Sequence, residues 1–156
     1  MKRESDFFMK FRVLLLILTA VFLVSCASPL SEDRGDAEQV LRKILSRFEL
    51  PCGVVYSDAE NAEYPLTDSL IERMFSDGHG VPAFEYVTSC AVYFSRHFTE
   101  HEIVVIKICD RSHREEVMNL CRRRAEKKED AVVYADGVYV YLICTDQNHE
   151  ILKAIK

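Results

Sequence analysis

Apolar residues in the body of the chain recur with periods that change from segment to segment. Ala37, Val40, Leu41, Ile44, Leu45 and Phe48 stand three or four apart, which lines one face of a helix over residues 36–48, and Pro51 helps to stop it. Residues 52–56 form a brief apolar run and predict a short strand. Leu70, Ile71, Met74 and Phe75 share the face of a second helix, with Thr67 as its cap and Gly78 at its exit. Residues 84–94 alternate and are rich in β-branched and aromatic types, so they predict a strand. Residues 103–109 are nearly continuously apolar, broken by Lys107, as expected of a central strand covered on both faces. Ser112 and Glu115 make a capping-box pattern that opens a third helix carrying Val117, Leu120, Cys121 and Ala125. Residues 132–135 and 138–144 flank Asp136-Gly137, a hairpin signal, and Asp146 is placed to cap a tail helix with Ile151, Leu152 and Ile155. The expected fold is α+β: a single small domain with helices packed on a largely antiparallel sheet, a C-terminal β-hairpin and a short tail helix.

Ahead of this body lies a different pattern. Lys2, Arg3, Lys10 and Arg12 precede a run at residues 13–24 that is apolar but for Thr19 and closes on Leu23-Val24-Ser25-Cys26. Charge followed by a short apolar stretch is the order of a signal peptide, and the run is well short of the ~20 residues that a spanning helix needs. The small residue before Cys26 resembles the bacterial lipobox, whose cysteine is lipidated and becomes the first residue of the mature chain. The organisation expected is therefore a lipoprotein signal peptide at 1–25, a lipidated N-terminus and polar tether at 26–35, and one domain at 36–156. The implied location is the extracytoplasmic face of the cell membrane, with the bilayer as partner through Cys26. Removing residues 1–25 takes away four of the 20 Lys+Arg and two of the 25 Asp+Glu, leaving 16 against 23, a formal charge near −7. Such an acidic body argues against nucleic acid as a partner.

The remaining chemistry is sparse. With Cys26 lipidated, the odd set Cys52, Cys90, Cys109, Cys121 and Cys144 is left, none in a C-x-x-C pair. Most occupy positions where a small apolar residue would pack, and a disulfide, if one forms, is expected between Cys109 and Cys144 should their strands adjoin. His97-Phe98-Thr99-Glu100-His101 matches the H-x-x-E-H form of inverted zinc peptidases, but it falls between two predicted strands, where a polar connection is expected. Arg122, Arg123 and Arg124, with Lys127 and Lys128 beyond them, complement the carboxyl end of the third helix and are also candidates to touch an anionic headgroup or wall polymer. Tyr134, Tyr139 and Tyr141 suit cross-strand packing, or a stacking surface for a sugar or peptide.

Two segments together resemble a family. Residues 102–107 (Glu-Ile-Val-Val-Ile-Lys), a capped helix with central arginines, the tyrosine-rich hairpin over residues 132–142 and the acidic cap at Asp146 are similar to the Firmicutes lipoproteins that carry domain of unknown function 4358. The resemblance covers about the last sixty residues, and the lipobox agrees with it at the other end. It implies a cell-surface location and a small α+β domain, and it carries over no catalytic residues and no cofactor. The expected function is a non-catalytic binding or protein-interaction domain displayed at the membrane. The alternatives are an accessory subunit of an envelope complex, or an envelope enzyme built on His97, Glu100 and His101.

Overall fold

The computed structural model describes residues 34–96 and 100–156. The expectations placed on residues 1–33, lipidation of Cys26 among them, and on His97 lie outside the described residues. The chain order from residue 34 is helix α1 (Ala37–Leu45), strands β1 (Gly53–Ser57) and β2 (Tyr64–Pro65), helix α2 (Asp68–Phe75), strands β3 (Val87–Ser95) and β4 (Glu102–Ile108), helix α3 (Arg114–Ala125), strands β5 (Val132–Asp136) and β6 (Tyr139–Cys144), and helix α4 (Asn148–Ile155). The strands form one sheet in the order β2-β1-β3-β4-β6-β5, antiparallel at every pairing except β1 with β2. This is the α+β domain that the periodicity predicts.

Strand register sorts the side chains into two apolar layers, because successive residues of a strand point to opposite faces. Val92, Val104 and Leu142 stand side by side on β3, β4 and β6, and with Cys90, Ile106 and Val140 they face Met74 and Phe75 of α2 and Val117, Leu120 and Cys121 of α3. Ala91, Val105 and Tyr141 occupy the next rung and point the other way, with Ile103 and Ile143, onto Leu41 and Ile44 of α1 and Ile151 and Ile155 of α4. β4 is therefore covered on both faces, and its residues 103–106 are wholly buried.

Local chemistry moved several boundaries from where the sequence pattern put them. Thr67 caps α2 as expected, accepting from the Leu70 amide at 3.3 Å. Ser112 does not cap α3: the Asp110 carboxylate accepts from the Ser112 amide at 2.7 Å, draws residues 111–113 into a 3₁₀ turn, and leaves α3 to start without a side-chain cap. Asp146 does not cap α4 either, since Asn148 accepts from the Thr145 amide at 2.8 Å and Asp146 turns to His101. The predicted strand at 84–94 begins only at Val87, because Pro82 opens a 3₁₀ turn over Pro82–Tyr86. In the hairpin, Asp136 pairs with Tyr139, so the two-residue loop is Gly137-Val138, one step later than expected, with Gly137 supplying the positive φ of +58° at the first loop position.

Polar groups on the α1 face fasten the start of the domain. The Gly35 carbonyl accepts from Lys107 Nζ at 3.1 Å and from the Tyr139 hydroxyl at 2.7 Å, and Ser89 Oγ accepts from the Ala37 amide at 2.8 Å, satisfying one of the orphan amides of α1. Asp36 caps the helix through the Gln39 amide. Lys107, the break in the predicted apolar run, is thus an internal strut.

Next to this strap, the buried Ser57 hydroxyl donates to Glu38, and that bond holds the Glu38 carboxyl below its usual value of 4.5, against the opposing pull of burial. A carboxyl lowered in the folded state contributes stability that is present above the unfolded value and lost as pH falls through the folded one. Ser57→Ala is expected to return the Glu38 midpoint toward 4.5 and flatten the decline of stability below that pH. An unchanged Glu38 carboxyl titration by NMR in the variant would refute the assignment.

The opposite face holds a buried charge. Glu102, the first residue of β4, is fully buried, and both its oxygens are engaged: Arg124 Nε donates to Oε1, Arg124 Nη2 to Oε2 at 2.7 Å, and Lys128 Nζ lies 2.9 Å from Oε2. Arg124 also donates to the Met74 carbonyl at 3.2 Å and lies 5.7 Å from the centre of the Phe94 ring. The triad ties the carboxyl end of α3 to the start of β4 and the end of α2.

Candidate functional site

α1 and α4, nine and eight residues long, cover one sheet face, and toward their carboxyl ends they leave a groove of about 340 Å³ between them. Its floor is apolar: Val40 and Ile44 from α1, Phe48 just beyond it, Ile155 from α4 and the ring of Tyr141 from β6. Its rim is cationic, with Arg34, Lys43, Arg47 and Lys156, and no carboxylate lines it among the described residues. Burial pushes the Tyr141 phenol up from its usual 10.0, and its hydroxyl accepts from Arg34 Nη1 at 3.3 Å.

The four cations differ in how far they are committed. Arg34 forms an ion pair with Asp136 at 2.5 Å. Among the described residues Lys43 Nζ reaches only the Arg34 carbonyl, at 3.2 Å, and Lys156 Nζ lies 5.4 Å from the centre of the Tyr134 ring. The Arg47 guanidinium makes no hydrogen bond or ion pair with a described residue. Cations near helix carboxyl ends oppose the negative end of the dipole. Lys43, Arg47 and Lys156 have no carboxylate partner among the described residues, and together they favour an anion over an apolar bed. An anion carrying a short apolar part satisfies both halves of the groove.

The amino end of α4 has the reverse character. There a basin of about 550 Å³ is lined by Glu100, Glu129, Asp130, Asp146 and Glu150 together with His101 and His149. His101 Nε2 lies 3.2 Å from Asp146 Oδ1, while its buried Nδ1 has no hydrogen-bond partner among the described residues. Glu100 and His101 of the zinc-like pentad run straight into β4, and the His101 carbonyl accepts from the Ser95 amide at 3.1 Å. No helical turn forms at these two residues to set a glutamate beside a histidine pair. Among the described residues, no group of three or more His, Cys, Asp or Glu is placed to hold a metal ion.

Two further expectations are corrected. The strands of Cys109 and Cys144 do adjoin, but they are antiparallel: Cys144 pairs with Glu102, and Cys109 lies beyond the far end of β4, on the order of 20 Å away, so the proposed disulfide cannot form and both thiols are free. Arg122, Arg123 and Arg124 are not an open cationic patch. Arg122 pairs with Glu115, Arg123 with Asp77 at 3.3 Å, and Arg124 turns inward onto Glu102.

Packing accounts for most of the other candidates. Cys90, Cys121 and Cys144 are buried, while Cys52 and Cys109 are exposed. Burial raises the Cys90 thiol and, with the charge of Glu102, pushes Cys121 up to about 12, so neither supplies a thiolate near neutrality. Tyr134 and Tyr141 form a stacked cross-strand pair with ring centres 6.3 Å apart, and Tyr139 and Tyr141 are buried in the core.

The groove itself left almost no trace in the sequence. Its rim comes from the tether, from α1 and from the tail, and the only local sign is the like-charged pair Lys43 and Arg47 four residues apart, an arrangement that slightly disfavours an isolated helix. No protein-family model matches the chain, nor does any curated protein or solved structure. No helix among the described residues is long and apolar enough to cross a membrane.

Proposed function

We propose that the chain is an extracytoplasmic lipoprotein, anchored through lipid on Cys26, whose folded domain binds ligand without catalysis in the groove between α1 and α4. The observation that carries this reading is the place of Arg34, which is both a wall of the groove and the residue at which the domain continues into the polar segment leading back to Cys26. A tether of residues 27–33 spans at most about 25 Å, so the groove is held close to the bilayer that bears the lipid. The order of charge, short apolar run and small residue before cysteine supports the anchor, as does the resemblance to lipoproteins with domain 4358. The ligand class that suits the groove is an anionic amphiphile.

Anchor and groove are tested separately. Mass spectrometry of the native N-terminus is expected to find a mature chain beginning at a diacylglyceryl Cys26, and Cys26→Ser to release the domain from the membrane fraction. A mature chain starting elsewhere, or carrying an unmodified cysteine, sinks the anchor. Among the described residues both apolar layers are built from residue 37 onward, so a chain starting at residue 27 retains these layers and serves for binding. Octanoate is expected to bind it and raise its Tm, acetate and octanol to do so far less, and Phe48→Ala to weaken octanoate about tenfold through lost apolar contact. Octanoate that binds no better than acetate removes the groove from consideration.

A further inference from the structure

We infer that the ligand of the α1/α4 groove is the headgroup of an anionic phospholipid in the membrane that carries the tether, so that the domain docks groove-down on its own bilayer. The inference rests on the reading above, from which it takes both the groove and the anchor.

Charge restricts which face can approach an anionic surface. The mature chain is strongly acidic, and a bilayer bearing anionic lipid repels it as a whole. Around α3 the arginines are neutralised by Glu115, Asp77 and Glu102. The amino end of α4 is lined by five carboxylates. At the groove, by contrast, Lys43, Arg47 and Lys156 face solvent without a carboxylate partner among the described residues. Each basic side chain near an anionic bilayer contributes a several-fold gain in affinity.

Size and reach agree with charge. A groove of about 340 Å³ takes a phosphate with its glycerol and the first methylenes, and is too small for two whole acyl chains. The floor of Val40, Ile44, Phe48 and Ile155 offers those methylenes an apolar bed, and Arg47 stands over it with its guanidinium uncommitted among the described residues. A short tether makes the encounter intramolecular, at an effective headgroup concentration in the millimolar range, so weak single-site affinity suffices. Docked in this way, the domain turns its α2/α3 face away from the membrane.

The test uses residues 27–156 without the lipid, floated with vesicles of phosphatidylcholine alone or mixed with phosphatidylglycerol. Binding is expected only with phosphatidylglycerol. Lys43→Glu combined with Arg47→Glu should lower it by tenfold or more, with Tm unchanged because both side chains are exposed, and the neutral pair Lys43→Gln with Arg47→Gln should lower it by less. Arg122→Glu with Arg123→Glu is expected to leave it within about twofold of wild type. Binding that survives reversal at 43 and 47, or that disappears instead on reversal at 122 and 123, overturns the inference. Absence of phosphatidylglycerol binding while octanoate still binds in a Phe48-dependent way overturns the headgroup inference alone and leaves the groove reading standing. Failure of both probes removes the two together.

Discussion

Glu102→Ala is expected to destabilise the domain by about 3–5 kcal/mol, a large share of the ~5–15 kcal/mol that holds a domain of this size together. The cause is the charge that remains. Arg124 and Lys128, both mostly buried, would face each other with the carboxylate gone, and among the described residues the Arg124 guanidinium would keep only the Met74 carbonyl and the Phe94 ring. Arg124→Ala should cost a similar amount from the other side, because it strips Glu102, which has no access to water, of its bidentate partner. The pair itself is a poor source of net stability, since desolvating two ions offsets most of their attraction. Glu102→Leu combined with Arg124→Leu should therefore recover most of either single loss. Urea unfolding of the four proteins measures this directly. A single-variant cost below about 1 kcal/mol, or a double variant worse than the sum of its parts, would show that the triad does not act as one buried unit.

How much of this architecture could be read from the chain depends on how local its causes are. β4 was legible because a strand covered on both faces needs apolar residues at consecutive positions, and residues 103–106 supply them. α1 and α2 were legible because each buries one stripe, and Thr67 caps in the expected way. Boundaries failed where two short-range signals competed: Asp110 took the Ser112 amide before Ser112 could cap, and Asp146 turned to His101, which leaves α4 without a side-chain cap. Pairing across the sheet was hidden more deeply. Cys109 follows β4 and Cys144 ends the neighbouring β6, yet strand direction puts them at opposite ends, and direction is not a property of either segment. The same holds for Glu102 and Arg124, 22 residues apart, and for the groove, whose Arg34 and Tyr141 are separated by 107. Arg122, Arg123 and Arg124 looked like a free cluster because a sequence shows charge but not its partners. Asp77 and Glu102, which neutralise two of the three, come from a loop after α2 and from β4.

Tyr141 is where core and groove meet, and its two truncations should separate their contributions. Tyr141→Ala is expected to cost about 3–5 kcal/mol, the scale for deleting a fully buried aromatic ring, since a cavity would open between Tyr134, Tyr139 and the α1 layer. Tyr141→Phe keeps the ring and removes only the oxygen that accepts from Arg34. Arg34 retains Asp136, so no charge is stranded, and the cost should stay near 0.5–1.5 kcal/mol. The two variants should also part in function. With the ring in place the floor survives, so the phenylalanine variant should keep octanoate binding within a few-fold. The alanine variant should lose it even at temperatures where the fold persists, because the apolar bed beneath Val40 and Ile155 is gone. Equal destabilisation by the two would mean that the hydroxyl, not the ring, carries the load, and the Arg34 strap would then have to be counted as a part of the core.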